Sequence, residues 1–143
     1  CEEDIATVMR SPWAMIGTDA SARSMSGKLS KGKPHPRAFG TFPRVLGRYV
    51  REQAVVPIEE AIRKMTSLPA SRFRLKNRGT VQPGNWADLV VFDPENVIDV
   101  ATYEHPHSNS TGIDFVFVNG RIAVEAGELT GELAGKVLRR GRD

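Results

Sequence analysis

The feature that most constrains this chain is a short, almost wholly apolar run, Trp13-Ala14-Met15-Ile16-Gly17. A segment so brief and so uniformly apolar reads as a β-strand buried on both faces, as in a parallel sheet covered by helices. Its backbone N–H and C=O groups then require a neighbouring strand along each edge. The polar cluster Thr18-Asp19-Ala20-Ser21 follows at once. The carboxyl ends of buried strands are where α/β enzymes carry their reactive groups.

The flanking residues offer no strand to pair with it. Glu2, Glu3 and Asp4 suit a helix N-terminal turn, where the macrodipole favours negative charge. Ile5, Val8 and Met9 then share one helical face, and Pro12 ends that helix. Residues 22–40 show no period and are rich in Ser, Gly, Lys and Pro, which makes them a long loop, functional or disordered. Phe42, Val45, Leu46, Tyr49 and Val50 predict an amphipathic helix with Thr41 as N-cap and Pro43 in its first turn. A further helix is expected from Pro57, with Ile58, Ala61, Ile62 and Met65 inward and its Arg, Glu and Lys residues outward. A short helical turn then runs to Phe73.

The periodicity changes near residues 76–79. Gly79-Thr80-Val81, the turn signal Pro83-Gly84 and Ala87-Asp88-Leu89-Val90-Val91-Phe92-Asp93 read as strand, turn and strand. Phe115-Val116-Phe117-Val118 and Arg121-Ile122-Ala123-Val124-Glu125 flank Asn119-Gly120. This is a strong hairpin signal, because a type I′ turn needs positive φ at both central residues. The expected organisation is therefore α/β over residues 1–75 and β over residues 76–143, with Trp13 and Trp86 as packing residues. Neither half is self-sufficient. One buried strand makes no sheet, and 143 residues fall short of the roughly 250 of a complete (β/α)₈ barrel.

Charge narrows the function classes. Twenty Lys and Arg against 17 Asp and Glu give a net charge of +3. The basic residues are interleaved with acids, apart from a run at residues 136–142, and the aromatics show no stacking pattern, so nucleic acid is not an expected partner. No run nears the ~18–20 apolar residues of a membrane span, and no secretory leader is recognisable. The single cysteine, Cys1, excludes an internal disulfide framework and fits a reducing, cytoplasmic compartment. In that setting the glycosylation pattern Asn109-Ser110-Thr111 is incidental.

The order of these signals resembles a known family. The segments Ile16-Gly17-Thr18-Asp19-Ala20-Ser21, Gly32-Lys33-Pro34-His35-Pro36-Arg37 and Phe39-Gly40-Thr41-Phe42-Pro43-Arg44-Val45-Leu46 come first, followed by Lys64-Met65-Thr66-Ser67-Leu68-Pro69-Ala70. Together they resemble the C-terminal third of the N-acyl-D-amino-acid deacylases (D-aminoacylases), within the metal-dependent amidohydrolase superfamily. Ala87-Asp88-Leu89-Val90-Val91 and Val118-Asn119-Gly120 mark only the superfamily. The Lys-Pro-His-Pro-Arg and Thr-Phe-Pro-Arg-Val-Leu segments point to the D-aminoacylase branch.

The resemblance implies the last strand and following helices of a (β/α)₈ barrel, and then part of a small β-sandwich completed by strands from elsewhere. It also implies hydrolysis of the N-acyl amide of an N-acyl-D-amino acid. Zn²⁺ would supply a bound water of lowered pKa and polarise the carbonyl. Asp19 falls at the position of the family's proton-carrying Asp, which is also a possible metal ligand. From its residue type alone, Asp19 is equally an Asp that caps the next segment. Ser21, His35 and Arg37 are candidate substrate-binding residues. His35 either contacts substrate or locks a Pro-rich turn, and Arg37 either pairs with the substrate carboxylate or is a solvated loop arginine.

The family's remaining ligands, a His-x-His pair, a Cys and further His residues, lie upstream of any segment like this one. His105-Pro106-His107 follows no apolar strand and reads as a polar loop. Two outcomes are thus expected. The chain is part of a zinc deacylase, inactive alone and pairing with a missing N-terminal portion; or it is a non-catalytic remnant that self-associates through unfinished sheet edges.

Overall fold

The computed structural model describes residues 1–139; the end of the basic run at residues 136–142 lies outside them. Helix α1 (Glu2–Arg10) carries its acids in the first turn and Arg10 in the last, in accord with the helix dipole. Helix α2 (Arg37–Arg44) runs directly into a π-helical segment, Val45–Glu52. Helices α3 (Ile58–Met65) and α4 (Ser67–Phe73) follow, and Arg74 stops α4 in the left-handed region at φ 57°. The core joins α1 to the π-helical segment and α3 through Met9, Val45, Tyr49, Val55, Val56 and Ala61, with Ile16 and Met65 packed against it.

The expected helix at residues 42–50 begins earlier than its pattern suggests. Pro36 stands at the N-cap, and the backbone N–H of Phe39 and of Gly40 bonds to the Pro36 carbonyl. Thr41 is therefore interior, and its hydroxyl donates back to the Arg37 carbonyl at 2.8 Å. Pro43 falls in the last turn of α2 and cannot donate to the i−4 carbonyl. The wider π spacing starts two residues later, which agrees with proline and π insertions as causes of helix distortion.

The sheet is a four-stranded antiparallel meander in the order β1 (Leu89–Phe92), β2 (Ile113–Val118), β3 (Arg121–Glu125) and β4 (Glu128–Leu129). Val118 faces Arg121 across the β2–β3 turn, where Asn119 and Gly120 take φ of 50° and 81°. Ala126 and Gly127, at 50° and 80°, turn β3 into β4 in the same manner. The side chain of Asn119 also accepts from Arg78 at 2.7 Å and donates to the Ala134 carbonyl at 2.6 Å, fixing the hairpin tip.

Two expected strands do not form. Residues 13–17 carry no strand, and Trp13 is 72% exposed instead of packed. Residues 79–81 are likewise irregular, with Val81 exposed. The cause is the same in both places: no adjacent strand offers these segments a ladder of hydrogen bonds, so Trp13, Met15 and Val81 stay exposed while Ile16 turns onto the helical core. The observed arrangement is helices over the first half and one small antiparallel sheet over the second. The halves meet where Val97, 1% exposed, packs on the π-helical segment. Arg44 reinforces that junction by pairing with Asp99 at 2.9 Å.

Candidate functional site

Helix α3 fixes the segment that leads to Asp19. The Lys64 side chain is fully buried and its ammonium donates to the carbonyls of Ser11 and Ala14, the latter at 3.2 Å, and pairs with Glu60 Oε1 at 3.2 Å. The Lys64 carbonyl in turn accepts the Ile16 N–H at 3.2 Å, and Arg63 Nη2 donates to the Pro12 carbonyl at 2.9 Å. All three ammonium hydrogens thus have partners, which is what makes a buried charge tolerable. Glu60 joins the two bases. The hydrogen bond from Arg63 holds its carboxyl down at about 2, and raises the Arg63 guanidinium in return. The expectation that α3 turns all its charged residues to solvent is wrong for Lys64, because the chain of residues 11–16 lies over it.

Beyond that clamp the chain turns sharply. Asp19 adopts φ 46°, a left-handed conformation in which Asp is enriched among non-glycine residues. Its Oδ2 meets Arg37 Nη2 at 2.7 Å, with the two side chains 88% and 45% exposed. Arg37 opens α2, so the long loop of residues 22–36 closes by bringing its two ends together. Within the loop, a 3₁₀ turn at Gly27–Ser30 and a bond from Arg23 Nη1 to the Lys31 carbonyl at 2.9 Å give local order.

His35 sits between Arg37 and a residue from the other half of the chain. Its Nδ1 accepts the Arg37 backbone N–H at 3.0 Å, and its Nε2 lies 2.9 Å from the Tyr103 hydroxyl. An Nδ1 that accepts leaves the proton of the neutral ring on Nε2, which therefore donates to Tyr103. The two rings meet edge to face at 5.0 Å. Of the four candidates, the structure brings Asp19, His35 and Arg37 together. Ser21 is exposed and takes no part in these contacts.

His105 and His107 lie in an irregular loop, as their polar flanks indicated. His107 packs its ring on Phe39 at 5.5 Å, and its Nε2 is buried without a partner. Among the described residues no three His, Cys, Asp or Glu side chains are grouped closely enough to hold a metal ion. Tyr103 and Lys64 were not among the sequence candidates. Nothing local to them signals their role, because their partners are distant in the chain.

An apolar cleft of about 820 Å³ separates the helices from the sheet, bounded by Phe42, Leu46, Ile62, Val90, Val116 and Leu129 among others. No helix of the described residues is long and apolar enough to cross a membrane.

The family model described as "Amidohydrolase family" matches residues 3–124. A D-aminoacylase of Alcaligenes xylosoxydans xylosoxydans is 46% identical over 97% of this chain and 27% of its own length. A D-aminoacylase crystal structure superposes with a TM-score of 0.88 at 47% identity, covering 98% of this chain and 28% of that one. The N-acyl-D-glutamate deacylase of Bordetella bronchiseptica, solved with zinc and a phosphonate mimic of the tetrahedral intermediate, gives 0.77 at 44% identity over 86% of this chain and 24% of that one. The chain spans about a quarter of the length of these relatives.

Proposed function

The chain belongs to the amidohydrolase family, and from that premise we propose that it is the closing segment of a metal-dependent enzyme that hydrolyses the N-acyl amide of N-acyl-D-amino acids. In this reading residues 1–75 are the end of a (β/α)₈ barrel and residues 76–143 part of a β-sandwich, in a cytoplasmic enzyme. The run at residues 13–17 becomes the last barrel strand once its neighbours are present. The apolar cleft and the exposed edge of β1 are then surfaces that the rest of the polypeptide covers.

The observation that carries the reading is the Asp19–Arg37 pair. Asp19 takes a proton from the attacking water and delivers it to the departing amine nitrogen. Arg37 exchanges the Asp19 carboxylate for that of the substrate, with Ser21 and His35 as the further substrate-binding candidates. The described residues offer a metal one carboxylate, Asp19, and do not by themselves compose a site. In this reading the chain is active only together with the rest of the enzyme.

The test is segment exchange: this chain replaces the corresponding quarter of the Alcaligenes D-aminoacylase. The exchanged enzyme is expected to release acetate from N-acetyl-D-amino acids, and Asp19→Ala to abolish the release. A folded but inactive exchange protein would remove the reading. A second reading, a non-catalytic self-associating module, is favoured by the same cleft and open β1 edge. Discrete dimers of the isolated chain in light scattering, together with an inactive exchange protein, would support it.

A further inference from the structure

We propose that Tyr103 is a positioning residue for Arg37, acting through His35; the proposal rests on the reading in which Arg37 binds the substrate carboxylate. The Tyr103 hydroxyl accepts the His35 Nε2–H at 2.9 Å, which fixes the imidazole so that Nδ1 takes up the Arg37 backbone N–H at 3.0 Å. That N–H belongs to the first turn of α2, where helix N–H groups have no intrahelical acceptor. The imidazole therefore acts as the cap that Pro36, with no suitable side chain, cannot supply. The guanidinium that reaches Asp19 at 2.7 Å projects from this same turn.

Tyr103 is itself held in place. Ala101 and Pro106 are buried on either side of it, and the Thr102 hydroxyl accepts the His105 N–H at 2.9 Å. His107, four residues on, packs at a tilt against Phe39, four residues on from His35. Two ring contacts thus pin the loop of residues 101–108 along the start of α2, and the sheet-bearing half of the chain orients a side chain of the helical half. Tyr103 is 68% exposed, so its hydroxyl adds little to global stability. Its effect is on where Arg37 points.

The experiment uses Tyr103→Phe, which keeps the ring and removes the acceptor. In the 143-residue chain, ¹⁵N-histidine spectra at mildly alkaline pH are expected to show His35 protonated on Nε2 only. In Tyr103→Phe, exchange of the Arg37 amide should be faster by about five-fold, the size set by one net hydrogen bond, with an unchanged melting temperature. An Nδ1-protonated His35, or unaltered Arg37 exchange, overturns the proposal whether or not the deacylase reading holds. In an active exchange enzyme the same variant should raise KM about five-fold with kcat retained, and should add nothing to Arg37→Ala. A loss confined to kcat, or one fully additive with Arg37→Ala, also overturns it. An inactive parent enzyme counts against the deacylase reading alone.

Discussion

The Arg37 guanidinium bonds Asp19 at 2.7 Å while both side chains stay largely open to water. A pair so solvated adds about 0–1 kcal/mol to stability. Asp19→Asn keeps the left-handed backbone, which Asn also tolerates. The isolated chain should therefore unfold within about 1 kcal/mol of the parent in urea. The exchange enzyme should lose about 10²–10⁴-fold in kcat, the range for removal of a general acid–base group.

Arg37→Ala tests the substrate side of the pair. A hydrogen bond to a charged group is worth about 1.5–3 kcal/mol, so KM should rise roughly 10- to 100-fold. Initial-rate measurements across substrate concentration separate this from a fall in kcat. Arg37→Lys should recover only part of the loss, because an ammonium lacks the planar fork that matches a carboxylate.

Lys64→Met is expected to be the most destabilising of these changes. It removes the side-chain donor from the Ala14 carbonyl and one of the two donors from the Ser11 carbonyl, which keeps the Ala14 N–H at 3.2 Å. At about 1–3 kcal/mol for an orphaned group, with the Glu60 pairing lost as well, a cost of about 2–3 kcal/mol is expected from denaturant titration. Glu60→Gln should cost less, since Glu60 keeps some access to water.

Acid should weaken the clamp within a defined window. The Arg63 hydrogen bond lowers the Glu60 carboxyl from 4.5 to about 2 in the folded chain. A group lowered on folding stabilises fully above its unfolded value and loses that contribution as pH falls toward the folded one. Stability should therefore decline between about pH 4.5 and pH 2, and Glu60→Gln should flatten the slope. Asp93, lowered chiefly by the Asn96 side-chain amide, adds a slope of the same sign. Urea midpoints measured across this range check both.

The junction between helices and sheet tolerates no added atom at Gly47. A Cβ there would lie 2.5 Å from the Val97 carbonyl oxygen. Gly47→Ala should cost about 1–3 kcal/mol through overpacking. Gly17→Ala meets nothing within 4 Å and should melt at or slightly above the parent temperature.

The features legible in the sequence were those whose causes lie within a few residues. Asn119-Gly120 declared its hairpin because few residues other than Asn and Gly accept two successive positive φ angles. The acidic first turn of α1 and the change of period near residues 76–79 were legible for similar local reasons. Arg37 and Asp19 stand out separately, by residue type, position and resemblance.

Other features depended on partners far away in the chain. Local pattern started α2 at Thr41, whereas its first turn forms at Pro36 and Arg37, against His35 and Tyr103. Helical periodicity put Lys64 on a solvated face, and residues 11–16 crossing overhead buried it. The apolar run at residues 13–17 is the sharpest case. Its composition specifies a strand, but a strand exists only through hydrogen bonds to neighbours. Backbone preference and side-chain polarity are written residue by residue; burial, pairing and the meeting of Asp19 with Arg37 arise only when remote segments come into contact.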